Sequence, residues 1–458
     1  MTSKKTVNIS YTGKAQELIR SVQAEPGQRL KIINKKEKWE LEGYLLPKNE
    51  FTSDNILLVK LDNGYNIGIE VTSDLELEKI EGQITLERFP RRLPSQKKGL
   101  PEISLLGTGG TIASRIDYVT GGVVMALDPE EIFFALPELF SEISFRNVKS
   151  LFKLGSEDIW YKQWQLIAKH VTEELNSGVN GVVVMHGTDA MHYSSSALSF
   201  MLGDIPGPVA MAGGQRSSDR GSFDGALNLI SASRVAAKAD LAEVVVVMHA
   251  TPDDQSCYIH RGTKVRKMHT SRRDAFKSID IPPLGEIDYE GNIKWNRIER
   301  RHRKKSVSVD PKTDFEPKIA LVKAYPGSDP EILDWFIDRG KKGVIIEGTG
   351  LGHVPSFPPE DEKERSWLPV IKRATEEGLF IGLTSQTLYG RTHPYVYRAL
   401  RFARLSGAVH LEDMLPETAY VKLGWVLGNY DNEKEVKKIM LTNLAGEITE
   451  KSRFDSFI

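Results

Sequence analysis

The sequence lacks the features that define several common classes of protein. Its 458 residues include one cysteine, Cys257, so no intrachain disulfide can form and no oxidising compartment is implied. The N-terminal segment carries charges but no apolar stretch, which argues against a signal peptide, and no apolar run approaches the ~18 residues of a membrane span. The 61 Lys and Arg residues are balanced by 62 Asp and Glu residues, so overall basicity does not favour nucleic-acid binding. At ~150 residues per domain, we expect a cytoplasmic protein of about three domains without membrane association.

Several catalytic motifs are missing as well. The ten histidines are scattered, no HExxH motif occurs, and a lone cysteine cannot form a thiolate zinc site, so we expect no metal. No Gly-x-Ser-x-Gly elbow indicates a serine hydrolase. No Gly-Lys-Ser/Thr sequence completes a phosphate loop, so we expect no ATP site and no bound cofactor on this chain.

Residues 1–87 predict a small all-β domain of the SH3-like barrel type. Short apolar stretches alternate there with polar turns, at Leu30–Ile33, Trp39–Leu46, Ile56–Leu61 and Tyr65–Val71. The sequence Asp62-Asn63-Gly64 between two of them favours a tight hairpin turn. Five or so short strands without a long helix are typical of such a barrel. Residues 1–95 contain 15 Lys and Arg residues against 14 Asp and Glu residues, so a docking or spacer role is favoured over RNA binding.

The rest of the chain predicts an α/β fold with mostly parallel sheets. Residues 88–100 combine prolines with basic residues and are interpreted as a linker. Continuous apolar strands then alternate with amphipathic helices, which indicates an N-terminal α/β domain over 101–300 and a C-terminal one over 316–458. The basic segment between them, 301–315, is interpreted as a solvated linker in preference to an RNA contact. The predicted strands are Ile103–Leu106, Gly181–Met185, Val209–Ala212, Val244–Met248, Ile319–Val322 and Gly343–Ile346, and the predicted helices are Ile159–Leu175, Ala226–Ala239 and an amphipathic helix after Pro416.

Two loops that follow predicted strands carry glycines and hydroxyl groups. Gly107–Ala113 contains Gly110 and Thr111, and the loop at 186–189 contains Thr188 and Asp189. Either loop alone is compatible with a tight turn, in which the threonine or the aspartate caps a helix. Ligands of open α/β sheets bind at the carboxyl ends of the strands, so two such loops together favour a ligand site.

A threonine hydroxyl becomes a nucleophile only when a neighbouring base takes its proton, and lysine can serve as that base. The segment 261–276 offers Lys267, with Lys264, Arg266, Arg272 and Arg273 close to it in sequence. Spacing alone does not choose among these basic residues.

The two loop motifs resemble the signatures of the bacterial-type L-asparaginase family, and the resemblance extends over residues 100–445. It implies a core of two α/β domains in which Thr111 is the nucleophile, and in which Thr188, Asp189 and Lys267 complete the catalytic group. Other stretches that agree are Gly155–Asp158, Ala212–Arg216, Asp224–Asn228 and Leu415-Pro416.

The same resemblance implies the residues that bind the substrate. Tyr118 matches a lid tyrosine beside the nucleophile, and Ser156 and Glu157 match positions that hold the α-carboxylate and α-amino groups. Many free-standing members carry glutamine at the position of Glu157. The amide of Gly110, with Thr188, is expected to stabilise the oxyanion.

A β-domain joined by a basic linker to an asparaginase core resembles the D subunits of archaeal glutamyl-tRNA(Gln) amidotransferases. This resemblance implies a glutaminase that hydrolyses L-glutamine and supplies ammonia to a partner, the E subunit of the amidotransferase. That partner would convert Glu-tRNA(Gln) to Gln-tRNA(Gln) with ATP and Mg²⁺, so the complex is a carbon–nitrogen ligase. The implied assembly is a homodimer through the core and a heterotetramer of two D and two E chains, with tRNA bound mainly by the partner.

Two alternatives stay open on the sequence. The first is a stand-alone cytoplasmic L-asparaginase or glutaminase with an accessory β-domain. The second is a catalytically silent scaffold that has kept the fold, which is disfavoured because the hydroxyls, Asp189 and Lys267 are all present.

Overall fold

The computed structural model describes residues 11–48, 52–62, 65–83, 99–110, 114–116, 123–125, 137–217, 222–304, 306–454 and 457. The predicted residues Thr111 and Tyr118 and the Asn63-Gly64 turn lie outside the described residues. Within these ranges, no helix is long and apolar enough to cross a membrane.

The N-terminal domain is a small antiparallel sheet with one helix packed on it, as described over residues 11–83. Its elements are α1 (Gly13–Ser21), β1 (Gln28–Asn34), β2 (Trp39–Leu45), β3 (Ile56–Leu61), β4 (Asn66–Glu70) and β5 (Leu75–Gln83). The strands pair antiparallel in the order β4-β3-β2-β1-β5, which confirms the predicted all-β character. Helix α1 was not predicted, because nine residues with two buried positions, Ala15 and Ile19, give a weak periodic signal.

The N-terminal part of the core contains a mixed eight-stranded sheet in the described residues. Its strands are β6 (Glu102–Gly109), β9 (Ser144–Leu154), β10 (Gly181–Met185), β11 (Val209–Ala212), β12 (Val244–His249), β13 (Ser256–Arg261), β16 (Gly285–Asp288) and β17 (Ile293–Trp295). The sheet order is β17-β16-β13-β12-β11-β10-β6-β9. The strands from β12 to β9 run parallel, as predicted, whereas β13, β16 and β17 extend the sheet antiparallel. Two short antiparallel pairs stand apart: β7 (Ser114–Ile116) with β8 (Val123–Met125), and β14 (Val265–Lys267) with β15 (Phe276–Ser278).

Helices cover both faces of this sheet. They are α2 (Tyr161–Asn176), α3 (Met191–Leu202) and α4 (Gly225–Lys238). Strand β10 shows the arrangement: Val182 and Val184 pack into the cluster that contains α2 and α3, while Val183 and Met185 pack into the cluster that contains α4. Alternate residues of a strand face opposite sides, so a strand buried on both faces is apolar throughout.

The C-terminal part contains a parallel four-stranded sheet in the order β18-β19-β20-β21. Its elements are β18 (Ile319–Lys323), α5 (Glu331–Asp338), β19 (Gly343–Gly348), α6 (Trp367–Glu376), β20 (Phe380–Ser385), α7 (Arg398–Leu405), β21 (Val409–His410), α8 (Pro416–Asn429) and α9 (Glu433–Met440). Helix α8 begins at Pro416 as predicted, but it is buried rather than amphipathic, since even Glu417 and Lys422 are inaccessible. The reason is that α8 packs against α3 and against β18 and β19.

Some side chains of the basic segment between the two α/β parts make contacts within the chain, while His302 and Lys304 stay exposed to solvent. Arg303 donates hydrogen bonds to the carbonyls of Ala236 at 2.8 Å and Ala239 at 2.5 Å. His302 contacts Asp240 at 2.7 Å. The last carbonyls of a helix lack intrahelical partners, and a cation placed there satisfies them at the negative end of the helix dipole.

Candidate active site

The first loop of the site begins where β6 ends, at two glycines with positive φ. Gly109 has a φ of 103° and Gly110 a φ of 81°, a region that side chains rarely adopt. A Cβ atom on Gly110 would lie 2.4 Å from the Cα atom of Gly187, so only glycine lets the two loops meet. The amide of Gly110 donates to the carbonyl of Leu154 at 3.2 Å, which fixes the start of the loop that leads to residue 111.

The second loop follows β10 and is bonded to its neighbours on both sides. The hydroxyl of Thr108 donates to the carbonyl of Met185 at 2.9 Å, and the amide of His186 donates to the carbonyl of Ala212 at 2.9 Å. The carboxyl ends of β6, β10 and β11 therefore form one edge, as expected for a ligand site of a parallel sheet. Thr188 is buried and Asp189 is exposed at this edge.

Lys267 reaches this edge from a different part of the chain. It is the last residue of β14, and it pairs with Phe276 on β15. Its Nζ atom donates to Thr188 Oγ1 at 2.9 Å and to Asp189 Oδ1 at 2.6 Å. The Lys267 side chain is 9% exposed whereas the Asp189 side chain is 70% exposed. The three residues that the sequence suggested thus form one hydrogen-bonded group.

Ser156 and Glu157 lie beside the second loop, in a short 3-10 turn that follows β9. The buried hydroxyl of Ser156 accepts the amide of Ala190 at 3.2 Å, next to Asp189. Glu157 is exposed, and a Cβ atom on Gly155 would lie 2.6 Å from its Oε1 atom. Ser156 therefore borders the second loop, and Glu157 follows it in the same turn.

A further residue that the sequence did not assign a role is Asp224, which holds a third loop. Its buried carboxylate accepts the amide of Gln215 at 3.0 Å and the amide of Arg216 at 3.1 Å. The hydroxyl of Thr188 in turn donates to Gln215 Oε1 at 3.3 Å. Asn228, one turn further along α4, donates to the carbonyl of Gly213 at 2.9 Å. Both residues lie in the stretch Asp224–Asn228 that resembles the asparaginase family, but only the hydrogen bonds show that they hold the backbone of residues 213–216.

Two buried histidines near the site are neutral at pH 7. Burial lowers the pKa of His186 to about 4. Burial, with the positive charges of Arg266 and Lys267, lowers the pKa of His192 to about 3. Both imidazoles are therefore in the neutral form near pH 7. In the described residues, the side-chain amine that hydrogen-bonds both Thr188 and Asp189 is that of Lys267.

The thiol of the single cysteine stays protonated near neutral pH. Cys257 is fully buried, and burial raises the pKa of its thiol to about 12. Because the thiolate is the reactive form, this cysteine is not a nucleophile at neutral pH. The parts of the chain that the structure describes contain no group of three or more His, Cys, Asp or Glu side chains that could hold a metal ion.

Comparison with known proteins identifies the parts of the chain. The family "Asparaginase, N-terminal" matches residues 102–300, "Glutaminase/Asparaginase C-terminal domain" matches residues 318–440, and "GatD N-terminal domain" matches residues 24–80. Among solved structures, the thermostable L-asparaginase from Thermococcus kodakarensis is similar with a TM-score of 0.67 and 30% identity, covering 76% of this chain and all (100%) of that one. L-asparaginase I from Vibrio cholerae is similar with a TM-score of 0.64 and 27% identity, covering 77% and 100%. The asparaginase-like core is confirmed.

Relatives similar over the whole length include the N-terminal domain as well. The D subunit of glutamyl-tRNA(Gln) amidotransferase from Pyrococcus abyssi is 47% identical over 449 residues, which is 97% of this chain and 100% of the relative. The protein of the same name from Methanothermobacter thermautotrophicus is 41% identical over 451 residues, with 98% and 100% covered. The chain therefore belongs to the family of glutamyl-tRNA(Gln) amidotransferase D subunits, in which an asparaginase-like α/β core follows a small β-domain.

Proposed function

We propose that this chain is the glutaminase subunit of a tRNA-dependent amidotransferase, with Thr111 as its nucleophile. Glutamine is the nitrogen donor, and the ammonia passes to a partner subunit. The full-length relatives named as subunits of glutamyl-tRNA(Gln) amidotransferase support the overall activity. The asparaginase-like core supports amide hydrolysis as the reaction of this chain.

The observation that carries the proposal is the hydrogen-bonded group of Lys267, Thr188 and Asp189. Lys267 lies 78 residues from Asp189 in sequence, yet its amine is 2.6 Å from that carboxylate. The loop that carries Thr188 and Asp189 meets the Gly109-Gly110 turn at Gly187, where a Cβ atom on Gly110 would not fit. A nucleophile at residue 111 would follow this turn directly, with an amine available to exchange protons with it through Thr188.

The reaction has two steps with ordinary amide chemistry. The Oγ atom of Thr111 adds to the side-chain carbonyl carbon of glutamine, and its proton is taken by the group around Lys267. The tetrahedral intermediate collapses, the C–N bond breaks, and the nitrogen leaves as ammonia after it gains a proton. Water then hydrolyses the ester and releases glutamate. Thr188 would stabilise the oxyanion in both steps, whereas the Gly110 amide, which the sequence suggested for this role, is donated to the Leu154 carbonyl at 3.2 Å. Ser156, Glu157 and a lid carrying Tyr118 would hold the substrate.

The use of the ammonia requires a second protein chain. We propose the E subunit of the amidotransferase as that partner, with ATP and Mg²⁺ bound there and no cofactor on this chain. Glu-tRNA(Gln) would be bound mainly by the partner, because the 61 basic residues of this chain are balanced by 62 acidic ones. The proposed assembly in the cytoplasm is a homodimer through the asparaginase-like core, extended to two D and two E chains.

The nucleophile is tested with two substitutions at residue 111 in the full chain, assembled with its partner and Glu-tRNA(Gln). Thr111→Ala should lower ammonia release from glutamine by more than about a thousandfold, because no hydroxyl remains to form the ester. Thr111→Ser keeps the hydroxyl and should retain measurable release. Equal activity of the alanine variant and the wild type would show that the nucleophile lies elsewhere.

A stand-alone asparaginase is the competing function, since the solved structural relatives are L-asparaginases. It is separated by substrate and by dependence on the partner. We expect weak glutamine hydrolysis by the isolated chain and stimulation by the partner with glutamyl-tRNA. High turnover of asparagine without any partner would overturn the amidotransferase proposal.

A further inference from the structure

A fully buried lysine lies three residues before Lys267 and is bound to acidic residues outside the hairpin. Lys264 is 0% exposed. Its Nζ atom donates to Asp413 Oδ2 at 2.8 Å and to the Asp413 carbonyl at 2.5 Å, and lies 3.7 Å from Asp280 Oδ2. Removing an ammonium from water costs several kcal/mol even after relaxation, and an apolar residue would fill this space without that cost. Stability alone therefore does not explain the buried charge, and the reason for it must lie in the hydrogen bonds that it fixes.

The acidic partners connect the base of the hairpin to later segments of the chain. The carboxylate of Asp413 accepts the hydroxyl of Thr449 at 2.6 Å and the Thr449 amide at 3.0 Å. The carboxylate of Asp280 accepts the amide of Gly390 at 2.7 Å. Asp280 has a φ of 62°, an unusual conformation for a residue with a side chain, and it directly follows the hairpin. Three segments of the C-terminal part are thus bonded around one ammonium.

The β14–β15 hairpin connects Lys264 to the active site through a few pairs of residues. The amide of Ile279 donates to the Lys264 carbonyl at 2.8 Å, and the register then continues to the pair of Lys267 and Phe276. Successive side chains of a strand point to opposite faces. Arg266 points to the C-terminal part, where its Nη2 atom lies 2.8 Å from Glu417 Oε1, and Lys264, just before the strand, also contacts that part through Asp413. Lys267 is on the other face, toward Thr188.

We infer that Lys264, Asp413 and Asp280 are positioning residues, which fix the β14–β15 hairpin so that the amine of Lys267 stays in contact with Thr188 and Asp189. Their hydrogen bonds reach the C-terminal part rather than the catalytic group, so they act through the strand that carries Lys267. A two-stranded hairpin of three rungs has little stability alone, so its placement depends on what holds its base. The catalytic meaning of this inference rests on the proposed function.

The decisive variant is Lys264→Met in the full chain, assembled with its partner. We expect kcat for glutamine hydrolysis to fall by about 10–100-fold, as for a catalytic group displaced by about 1 Å. KM should change by less than about threefold, because the substrate contacts are untouched. In a crystal structure of the variant, the distance from Lys267 Nζ to Thr188 Oγ1 should exceed its present 2.9 Å by more than coordinate error.

A matched control separates positioning from general stability. Lys422 is equally buried, and its Nζ atom lies 2.5 Å from Glu447 Oε1, with both side chains 0% exposed. Lys422→Met removes a comparable buried ion pair that does not contact the hairpin. The control should lose thermal stability but keep kcat within about threefold of the wild type. If both variants lose the same fraction of kcat for the same loss of stability, the positioning role is overturned.

A milder variant decides the matter if Lys264→Met does not fold. Asp280→Asn keeps an acceptor for the Gly390 amide but removes the charge that faces Lys264. It should lower kcat by about 3–10-fold with little change in KM, and wild-type kcat would overturn the inference. If the wild type itself releases no ammonia from glutamine, the proposed function fails. The position of Lys267 in the variant crystal structure still tests the positioning role, which an unmoved amine would refute.

Discussion

Gly110 is the point where the two loops of the site touch, and replacing it with alanine tests the geometry of that contact. The new methyl group would lie 2.4 Å from Gly187 Cα and 2.4 Å from Gly187 N. These are backbone atoms, so no side chain can rotate away to make room. Either the first or the second loop must move, and the nucleophile is expected one residue further along.

The size of the effect follows from two separate costs. A side chain at a φ of 81° costs about 1–2 kcal/mol. Forcing an extra methyl group into a packed contact costs about 1–3 kcal/mol more. We therefore expect Gly110→Ala to lower the free energy of unfolding by about 2–5 kcal/mol. A loop displaced by about 1 Å should also lose about a hundredfold in glutamine hydrolysis.

Gly178 provides a matched control for the strain alone. Its φ of 93° is also positive, but nothing lies within 4 Å of the position of its Cβ atom. Gly178→Ala should cost about 1–2 kcal/mol and leave ammonia release unchanged. The assay is urea unfolding of the full chain together with ammonia release from glutamine by the assembled enzyme. Equal stability and equal activity of the two variants would refute the contact between the loops.

Three further predictions concern the groups around the site. Lys267→Met should lower ammonia release by about 10²–10⁴-fold, the usual contribution of a proton-transfer group. Its control is Lys277→Met on the same hairpin, a side chain that is 42% exposed and 3.4 Å from Asp274, which should leave ammonia release unchanged. Equal losses in the two variants would remove Lys267 from the mechanism. Asp224→Ala leaves the Gln215 and Arg216 amides without their acceptor, so it should cost about 1–3 kcal/mol of stability and reduce activity. Asp288→Ala, in an exposed turn where Asp288 accepts the Asn292 amide, should cost less. A milder effect at Asp224 than at Asp288 would contradict the role of Asp224 in holding its loop. A histidine of the unfolded chain binds a proton near pH 6.5, whereas buried His186 does so only near about pH 4. The free energy of unfolding should therefore fall by up to about 3 kcal/mol as the pH is lowered between these values, and that of His186→Gln should fall less. Parallel curves of stability against pH would show that His186 is not buried and neutral.

Much of the core could be predicted from local pattern because its strands are buried on both faces. Gly181–Met185 and Val209–Ala212 were predicted at the observed bounds, since an apolar run between turns has few other interpretations. Strand β9 was missed, because its eleven residues are mostly polar and partly exposed at the edge of the sheet. The antiparallel strands β13, β16 and β17 were not foreseen either, since short strands of mixed polarity have no distinctive period.

The site shows a similar division. Glycines and hydroxyls at strand ends predicted where a ligand would bind, but spacing could not choose Lys267 over Lys264 or Arg266. The structure separates them by the face of the strand: Lys267 meets Thr188, while Lys264 is bound to Asp413 far from it in sequence. The sequence likewise could not show that Asp224 holds another loop, because this role consists of hydrogen bonds to the backbone atoms of that loop. Contacts between distant segments depend on the tertiary fold and leave little trace in local sequence.

The central claim, that Thr111 forms the ester with glutamine, is tested most directly by covalent labelling. The full chain, assembled with its partner, would be treated with a diazoketone analogue of glutamine, digested and analysed by mass spectrometry. We predict a single adduct on the peptide that contains Thr111, absent when Thr111→Ala is treated in the same way and blocked by excess glutamine. An adduct on another residue that glutamine also blocks, Thr188 above all, would contradict the account.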